Sequence, residues 1–355
     1  MRVLITGVCG FVGAVLARGV RELRPGWEIV GLDNLVRPGS ETNRAGLRQF
    51  GVRVVHGDIR QPSDLEALPR CDWILDAAAN PSVLAGVDGR TSSRQLIEHN
   101  LLGTINLLEI ARAWQSGVLI LSTSRVYSIR DLAAIPVEAQ GERFAPRAGA
   151  VIPGLSAAGV TEGFSTAAPV SLYGATKLAS ETLALEYGET YNLPVRISRC
   201  GVLAGARQFG RVDQGIFSYW IHSWARRRPL KYIGFDGTGR QVRDCLHARD
   251  LLPLLLAQIE RPLDSAPRVL NVGGGMESSA SLRELSTWCQ DRFGACPVAA
   301  EPARRLFDVP WLVMDATAAG RHWNWKPQIS LEQTWSEIAE HAEENPHWLD
   351  LVDGD

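Results

Sequence analysis

The chain has 355 residues, 45% of them hydrophobic, and carries a net charge of −2, enough length to bury a sizeable core in one large or two modest domains. That balance offers no basic field for nucleic acid and no acidic bias towards a disordered chain, and no apolar run is long enough to span a bilayer. Cys9, Cys71, Cys200, Cys245, Cys289 and Cys296 show neither C-x-x-C pairs nor zinc spacing. They read as isolated thiols of a reducing compartment, with no metal site. The first apolar run begins at Val3, which leaves no space for a signal peptide, so the expectation is a cytoplasmic protein.

The run Val3-Leu4-Ile5 has the character of a buried strand, and Phe11 to Leu23 follows at helical spacing. Between them lies Gly7-Val8-Cys9-Gly10-Phe11-Val12-Gly13. In such a strand-to-helix turn Gly7 permits the tight turn, Gly10 lets the backbone approach a pyrophosphate, and Gly13 lets the helix pack on the sheet. The next strand, Ile29–Asp33, ends on an acid at the spacing of a dinucleotide fingerprint. The Asp33 carboxylate suits an adenosine ribose and repels a 2′-phosphate, so NAD is expected over NADP, although Arg37 lies near.

Further strands are predicted at Arg53–His56, Trp73–Ala77, Val118–Ser122 and Val195–Ser198, with helices at Leu96–Trp114 and Leu172–Tyr191. The alternation predicts an α/β fold, a doubly wound parallel Rossmann sheet that binds ligands at the carboxyl ends of its strands. Residues 1–199 are expected to form the dinucleotide-binding domain. After Cys200 turns become dense and the alternation stops. Residues 200–345 are read as mainly a smaller mixed α/β substrate domain, with some segments returning to the first. The aperiodic stretch 128–169 is expected to be a lid, and 346–355 a tail whose acidic end frays.

Tyr173-Gly174-Ala175-Thr176-Lys177 places a phenol and an ammonium four residues apart on one helical face. A nearby ammonium favours phenolate, as would the positive ring of an oxidised nicotinamide. Lys177 can meanwhile hold ribose hydroxyls. The strand end Leu121-Ser122-Thr123-Ser124 offers Thr123 as the hydroxyl that places a reacting oxygen against Tyr173, with Ser122 and Ser124 as neighbours able to serve instead.

Together with Ala77-Ala78-Ala79-Asn80, Asn100 and the later segments Gly237–Asp244, His247, Asp250, Asn271–Gly275, Arg305–Asp308 and Trp323–Pro327, these motifs resemble the extended short-chain dehydrogenase/reductase family over Arg2 to about Pro327. The resemblance implies a cofactor site of Gly7, Gly10, Phe11, Val12, Gly13, Asp33, Asn34, Asp58, Ile59, Ala77, Ala78, Ala79, Asn100, Ser122, Tyr173, Lys177 and Cys200. Asp58-Ile59 matches the family's adenine-contacting position. The implied substrate contacts are Ser82, Ser124, Gln208, Gln214, Gln241, Arg243, Arg305 and Asp308. Guanidinium forks suit a diphosphate.

The implied activity is NAD-dependent epimerisation of a nucleotide-diphosphate hexose. Gly205–Gly210, Asp213–Gly215, Gln241–His247 and Asn80–Val83 resemble the branch that inverts C2 of CDP-hexoses (CDP-paratose and CDP-tyvelose). The alternatives are 4-epimerisation of a UDP-hexose and, in another class, a non-catalytic dinucleotide-sensing regulator. A homodimer or homotetramer is implied, with no nucleic-acid or membrane partner. Two departures stand out. Gly201 and Leu203 occupy positions where many relatives carry Asn and Tyr. Ser124 and Arg125 replace the acidic pair that dehydratases use to eliminate water, which disfavours dehydration.

Overall fold

The structure, a computed structural model, describes residues 1–261, 265–303 and 305–352. Its centre is a seven-stranded parallel sheet. The strands are β1 (Arg2–Thr6), β2 (Glu28–Asp33), β3 (Arg53–His56), β4 (Trp73–Asp76), β5 (Gly117–Thr123), β6 (Val195–Cys200) and, after an excursion, β9 (Val269–Val272). They lie in the order β9-β6-β5-β4-β1-β2-β3. The apolar runs read from the sequence are buried on both faces, as a sheet covered by helices on either side requires. One core packs α1 (Phe11–Leu23) and α6 (Leu251–Glu260) on the sheet. The opposite core packs α3 (Gly103–Trp114) and α4 (Ser171–Tyr191).

Strand order reverses between β1 and β4, and a crevice opens at such a reversal. Thr6 straddles it. Its hydroxyl donates to Asp76 Oδ1 at 2.7 Å and accepts the N–H groups of Ala77 and Ala78 at 3.2 Å each. The register β5·β6 sets Thr123 beside Cys200, so two chemistry-bearing strand ends stop level.

A second layer lies over the strand ends. Its sheet joins β7 (Val202–Ala204), β8 (Val242–His247) and antiparallel β10 (Ser279–Ser281), with β11 (Trp311–Leu312) also paired to β8. Helices α5 (Ile216–Ala225), α7 (Leu282–Phe293) and α8 (Leu331–Glu344) close it around Phe217, Trp220, Trp224 and Trp335. His247 and Asp250 are joints of this layer. His247 meets Glu337 at 3.2 Å, and the Asp250 carboxylate accepts the N–H groups of Gln328 and Ile329 at 3.1 Å. Among the described residues no helix is long and apolar enough to cross a membrane.

Two expectations need correction. The stretch 128–169 is not an aperiodic loop. It holds a short helix (Ile129–Ala133) and two hairpins, and Tyr127, Leu132, Ile135, Val160 and Phe164 are buried with Trp311 and Met314. Asn271 ties it down, accepting from the Tyr127 hydroxyl at 2.6 Å and donating to Val160 O at 2.8 Å. The chain end does not fray over 348–352 either. Trp348 stacks on Phe209 with centroids 5.0 Å apart, and Arg211 holds the Val352 carbonyl at 2.8 Å. Residues 353–355 lie outside the described residues.

Candidate active site

The glycine turn is built to leave no room for side chains. Gly7 has φ +61°, and a Cβ there would lie 2.9 Å from Ala77 O and from Ala78 Cα; one on Gly13 would lie 2.1 Å from Gly7 O. Gly10 donates to Gly7 O at 3.0 Å and, as N-cap, accepts Ala14 N at 2.9 Å. The first N–H groups of α1 are therefore left pointing along the helix axis, an arrangement that suits an anion.

Asp33 grips this turn from β2, accepting Cys9 N and Leu35 N at 2.8 Å each. Burial pushes its carboxyl up, and these backbone N–H groups oppose the shift. Asn34 donates to Asp58 at 3.0 Å. Burial would raise the Asp58 carboxyl, but hydrogen bonds from Arg60 and Asn34 outweigh it and hold it well below the usual range. Phe11, Val12, Ala77, Ala78, Ala79, Asn34 and Asp58 are thus assembled around one crevice by adjacent strand ends.

Other expected cofactor residues have partners inside the protein. The Ile59 side chain packs into the place a Gly103 Cβ would take. Asn100 clamps Asn80, accepting its N–H at 2.8 Å and donating to its carbonyl at 3.1 Å, and also donates to Thr176 at 3.2 Å. The Ser122 hydroxyl donates to Glu181, which is paired with Arg199 at 2.7 Å. Ser122 side-chain chemistry is therefore directed into the sheet–helix interface.

Thr123, Tyr173 and Lys177 come together. The Thr123 hydroxyl lies close enough to the Tyr173 phenol to favour its anion. Lys177 is 3% exposed, and its ammonium makes no hydrogen bond or ion pair to the described residues. It lies close enough to Cys200 to draw that thiol down, while burial pushes it up to about 12. Burial pushes the Tyr173 phenol up to about 12, and the neighbouring Thr123 hydroxyl and Arg125 charge pull it back.

A cavity of about 300 Å³ opens between the layers, lined by Arg125, Gln214, Gln241, Arg243, Arg305 and Asp308 with apolar walls from Val212, Phe217 and Trp220. Arg243 pairs with Asp308 at 2.7 Å, and Arg305 donates to Val212 O at 3.0 Å. Gln241 donates to Ile233 O at 2.8 Å, leaving its buried Oε1 without a partner among the described residues. Arg125, Lys231, Arg243 and Arg305 outnumber Asp213 and Asp308 in the described lining, a net positive wall that suits an anionic ligand.

Ser82, Ser124 and Gln208 are not in this wall. Ser82 donates to Asp213, and Gln208 donates to Leu203 O at 2.9 Å. Gln214 accepts from Arg37 at 2.6 Å. Arg37 thus fastens the 207–215 segment to the dinucleotide crevice. Sequence reasoning misses Arg125 as a site residue, because there it registers only as the absence of an acid. A signal is nonetheless present: a cation two residues after a candidate catalytic hydroxyl at a parallel-strand end.

Residues 3–273 match the family described as the NAD dependent epimerase/dehydratase family. The chain is 29% identical to CDP-paratose 2-epimerase of Salmonella typhi over 352 residues, covering 93% of this chain and 96% of the relative. Among solved structures, UDP-glucuronic acid 4-epimerase of Bacillus cereus, in complex with UDP-glucuronic acid and NAD, superposes with TM-score 0.77 at 22% identity, covering 97% and 99% of the two chains. UDP-glucose 4-epimerase of Thermus thermophilus, in complex with NAD, does so with TM-score 0.74 at 25% identity, over 97% and 99%.

Proposed function

The chain belongs to the NAD-dependent epimerase/dehydratase family, and from that premise we propose that it epimerises a nucleotide-diphosphate hexose, with C2 of a CDP-hexose as its reacting centre. The observation that carries the reading is the convergence of Thr123, at the end of β5, with the buried Tyr173 and Lys177 of α4, in a sheet whose first strand runs into a glycine turn with no room for side chains. Gly7, Gly10 and Gly13 would cradle the pyrophosphate of NAD, Asp33 its adenosine ribose, and Lys177 the hydroxyls of the other ribose. NAD, when bound, supplies a reversible hydride acceptor.

The chain's own residues handle the proton. Thr123 hydrogen-bonds the reacting sugar oxygen, and Tyr173 Oη takes the hydroxyl proton as the ketone forms, then returns it after the opposite face is presented. Arg243 and Arg305 hold the diphosphate, which leaves the hexose as the part free to turn. The residues after Thr123 are Ser124 and Arg125. Neither supplies the acid–base pair that elimination of water requires, so the ketone is reduced rather than dehydrated.

Support for C2 and cytidine comes from the similarity to CDP-paratose 2-epimerase. The test is incubation of purified protein and NAD with CDP-paratose or CDP-glucose, followed by NMR of the C2 configuration. Inversion at C2 is the expected outcome. Inversion at C4 of UDP-glucose or UDP-glucuronate, with no change in any CDP-hexose, would replace this reading with the 4-epimerase one.

A further inference from the structure

We propose that Arg125 is the sugar-side cation of the active site, holding oxygens at the hexose end of the substrate and stabilising the Tyr173 phenolate by its charge. The proposal rests on the nucleotide-sugar reading of the cavity and adds to it a residue with a double role.

The backbone fixes where Arg125 starts. Its N–H donates to Thr123 Oγ1 at 3.2 Å, one hydroxyl away from Tyr173. Its carbonyl lies 2.3 Å from where a Cβ on Gly174 would sit, so the first turn of the Tyr173 helix rests directly on it. From there the side chain turns into the cavity shared with Arg243, Arg305 and Asp308.

The guanidinium is under-committed. Nη1 donates to Phe307 O at 3.2 Å, and its other N–H groups make no hydrogen bond to the described residues. Arg243 is different: it spends its donors on Asp308, Val242 O and Val309 O. Asp308, the carboxylate whose charge reaches Arg125, is therefore already neutralised. Burying a guanidinium without its own anion is unfavourable, and such groups are retained where a ligand supplies the missing acceptors. A hexose with its attached phosphate carries acceptors of that kind.

The second role follows from position. The groups near the phenol are the Thr123 hydroxyl, the Cys200 thiol, Arg125 and, one turn along the same helix, Lys177; those near Arg125 are Arg243, Arg305, Asp308 and the phenol itself. A cation in that set favours the anion of a tyrosine. Burial and the neighbouring Arg243 push the Arg125 guanidinium down to about 10, so it keeps its charge at neutral pH.

The experiment compares wild type, R125M and R125K in the full chain with NAD bound. Phenolate is read as the absorbance difference near 295 nm between each protein and its Tyr173→Phe counterpart. R125M should move the titration midpoint up by about one pH unit, and R125K should restore it. An unchanged midpoint in R125M overturns the electrostatic role. Binding of CDP-glucose and UDP-glucose is then compared with binding of CDP and UDP. R125M should weaken the sugar nucleotides roughly tenfold and leave the free diphosphates unchanged; equal losses overturn the sugar-side placement. Unchanged affinity for NAD shows that the variants are folded. Failure of every sugar nucleotide to be inverted by wild type would overturn the proposed function, while the phenolate titration, which needs no substrate, still decides the role of Arg125.

Discussion

At Tyr173 two demands conflict. A proton-transferring hydroxyl benefits from exclusion of water, yet burial pushes its proton affinity up, and Thr123 and Arg125 counter it. Tyr173→Phe should leave NAD affinity unchanged by calorimetry and lower kcat by roughly 10²–10⁴-fold, the usual worth of a general acid–base group. Asp244 shows the same physics outside the chemistry. It is 1% exposed, and burial pushes its carboxyl up to about 7 despite N–H groups from Met314 and from Gly274 at 3.1 Å. A Cβ on Gly201 or Gly273 would lie 2.4 or 2.2 Å from a carboxylate oxygen, which gives the glycine at 201 a packing reason. Since the folded state holds this proton more tightly than the unfolded chain, stability is full below about pH 4 and falls as pH rises through about 7. Asp244→Asn should abolish that fall. Urea midpoints at pH 5 and pH 8 would show it, with wild type losing at most about 3 kcal/mol relative to the variant, about two pH units at about 1.4 kcal/mol each.

Among the elements, α1 is the most tightly specified, because its glycines are dictated by backbone atoms of other residues. Gly13→Ala would drive a methyl into Gly7 O, so the turn must open. NAD affinity, followed by calorimetry or nicotinamide fluorescence, should fall by at least about tenfold, or about 1.4 kcal/mol. This element was fully legible: strand, glycines, helix and acid follow one another along a single stretch of chain. Elements that depend on distant partners were less so. The helix read at Leu96–Trp114 is three pieces, with a π-helical turn over Glu98–Leu102 that seats Asn100 against Asn80 and Thr176. Apolar periodicity does not record a change of hydrogen-bond spacing. β9 went unrecognised as a strand of the main sheet because Val269–Val272 is short and contains Asn271, whose polar side chain is satisfied only by the Tyr127 and Val160 segment. The stretch 128–169 read as aperiodic for a related reason: hairpins of two to four residues per strand are too short to show alternation. Of the candidate site, Thr123 and Tyr173 are visible as a strand end and a helix start, whereas Gln214 and Ser82 are committed to partners far along the chain and Gln208 to the Leu203 carbonyl.

For the molecule as a whole, the C-terminal segment braces the substrate layer. Trp348 stacks on Phe209, meets His341 edge-on with centroids 4.6 Å apart, and donates to Gln208 O at 2.9 Å. Trp348→Ala should cost about 3–5 kcal/mol. Calorimetry should record a Tm lower by several degrees, and KM for the sugar nucleotide should rise, since the braced segment continues into the cavity wall at Val212–Gly215. The excursion between β6 and β9 has a separate consequence for the chain's assembly and inheritance. The last rung of the dinucleotide sheet is synthesised only after most of what grips the sugar, so neither function can be cut away and leave the other intact. A fragment stopping near residue 200 would offer Val195–Cys200 as a bare margin to any sister molecule. Natural or engineered shuffling of sugar preference must therefore work inside the loop and keep its two anchors, Cys200 and Val269, where they are.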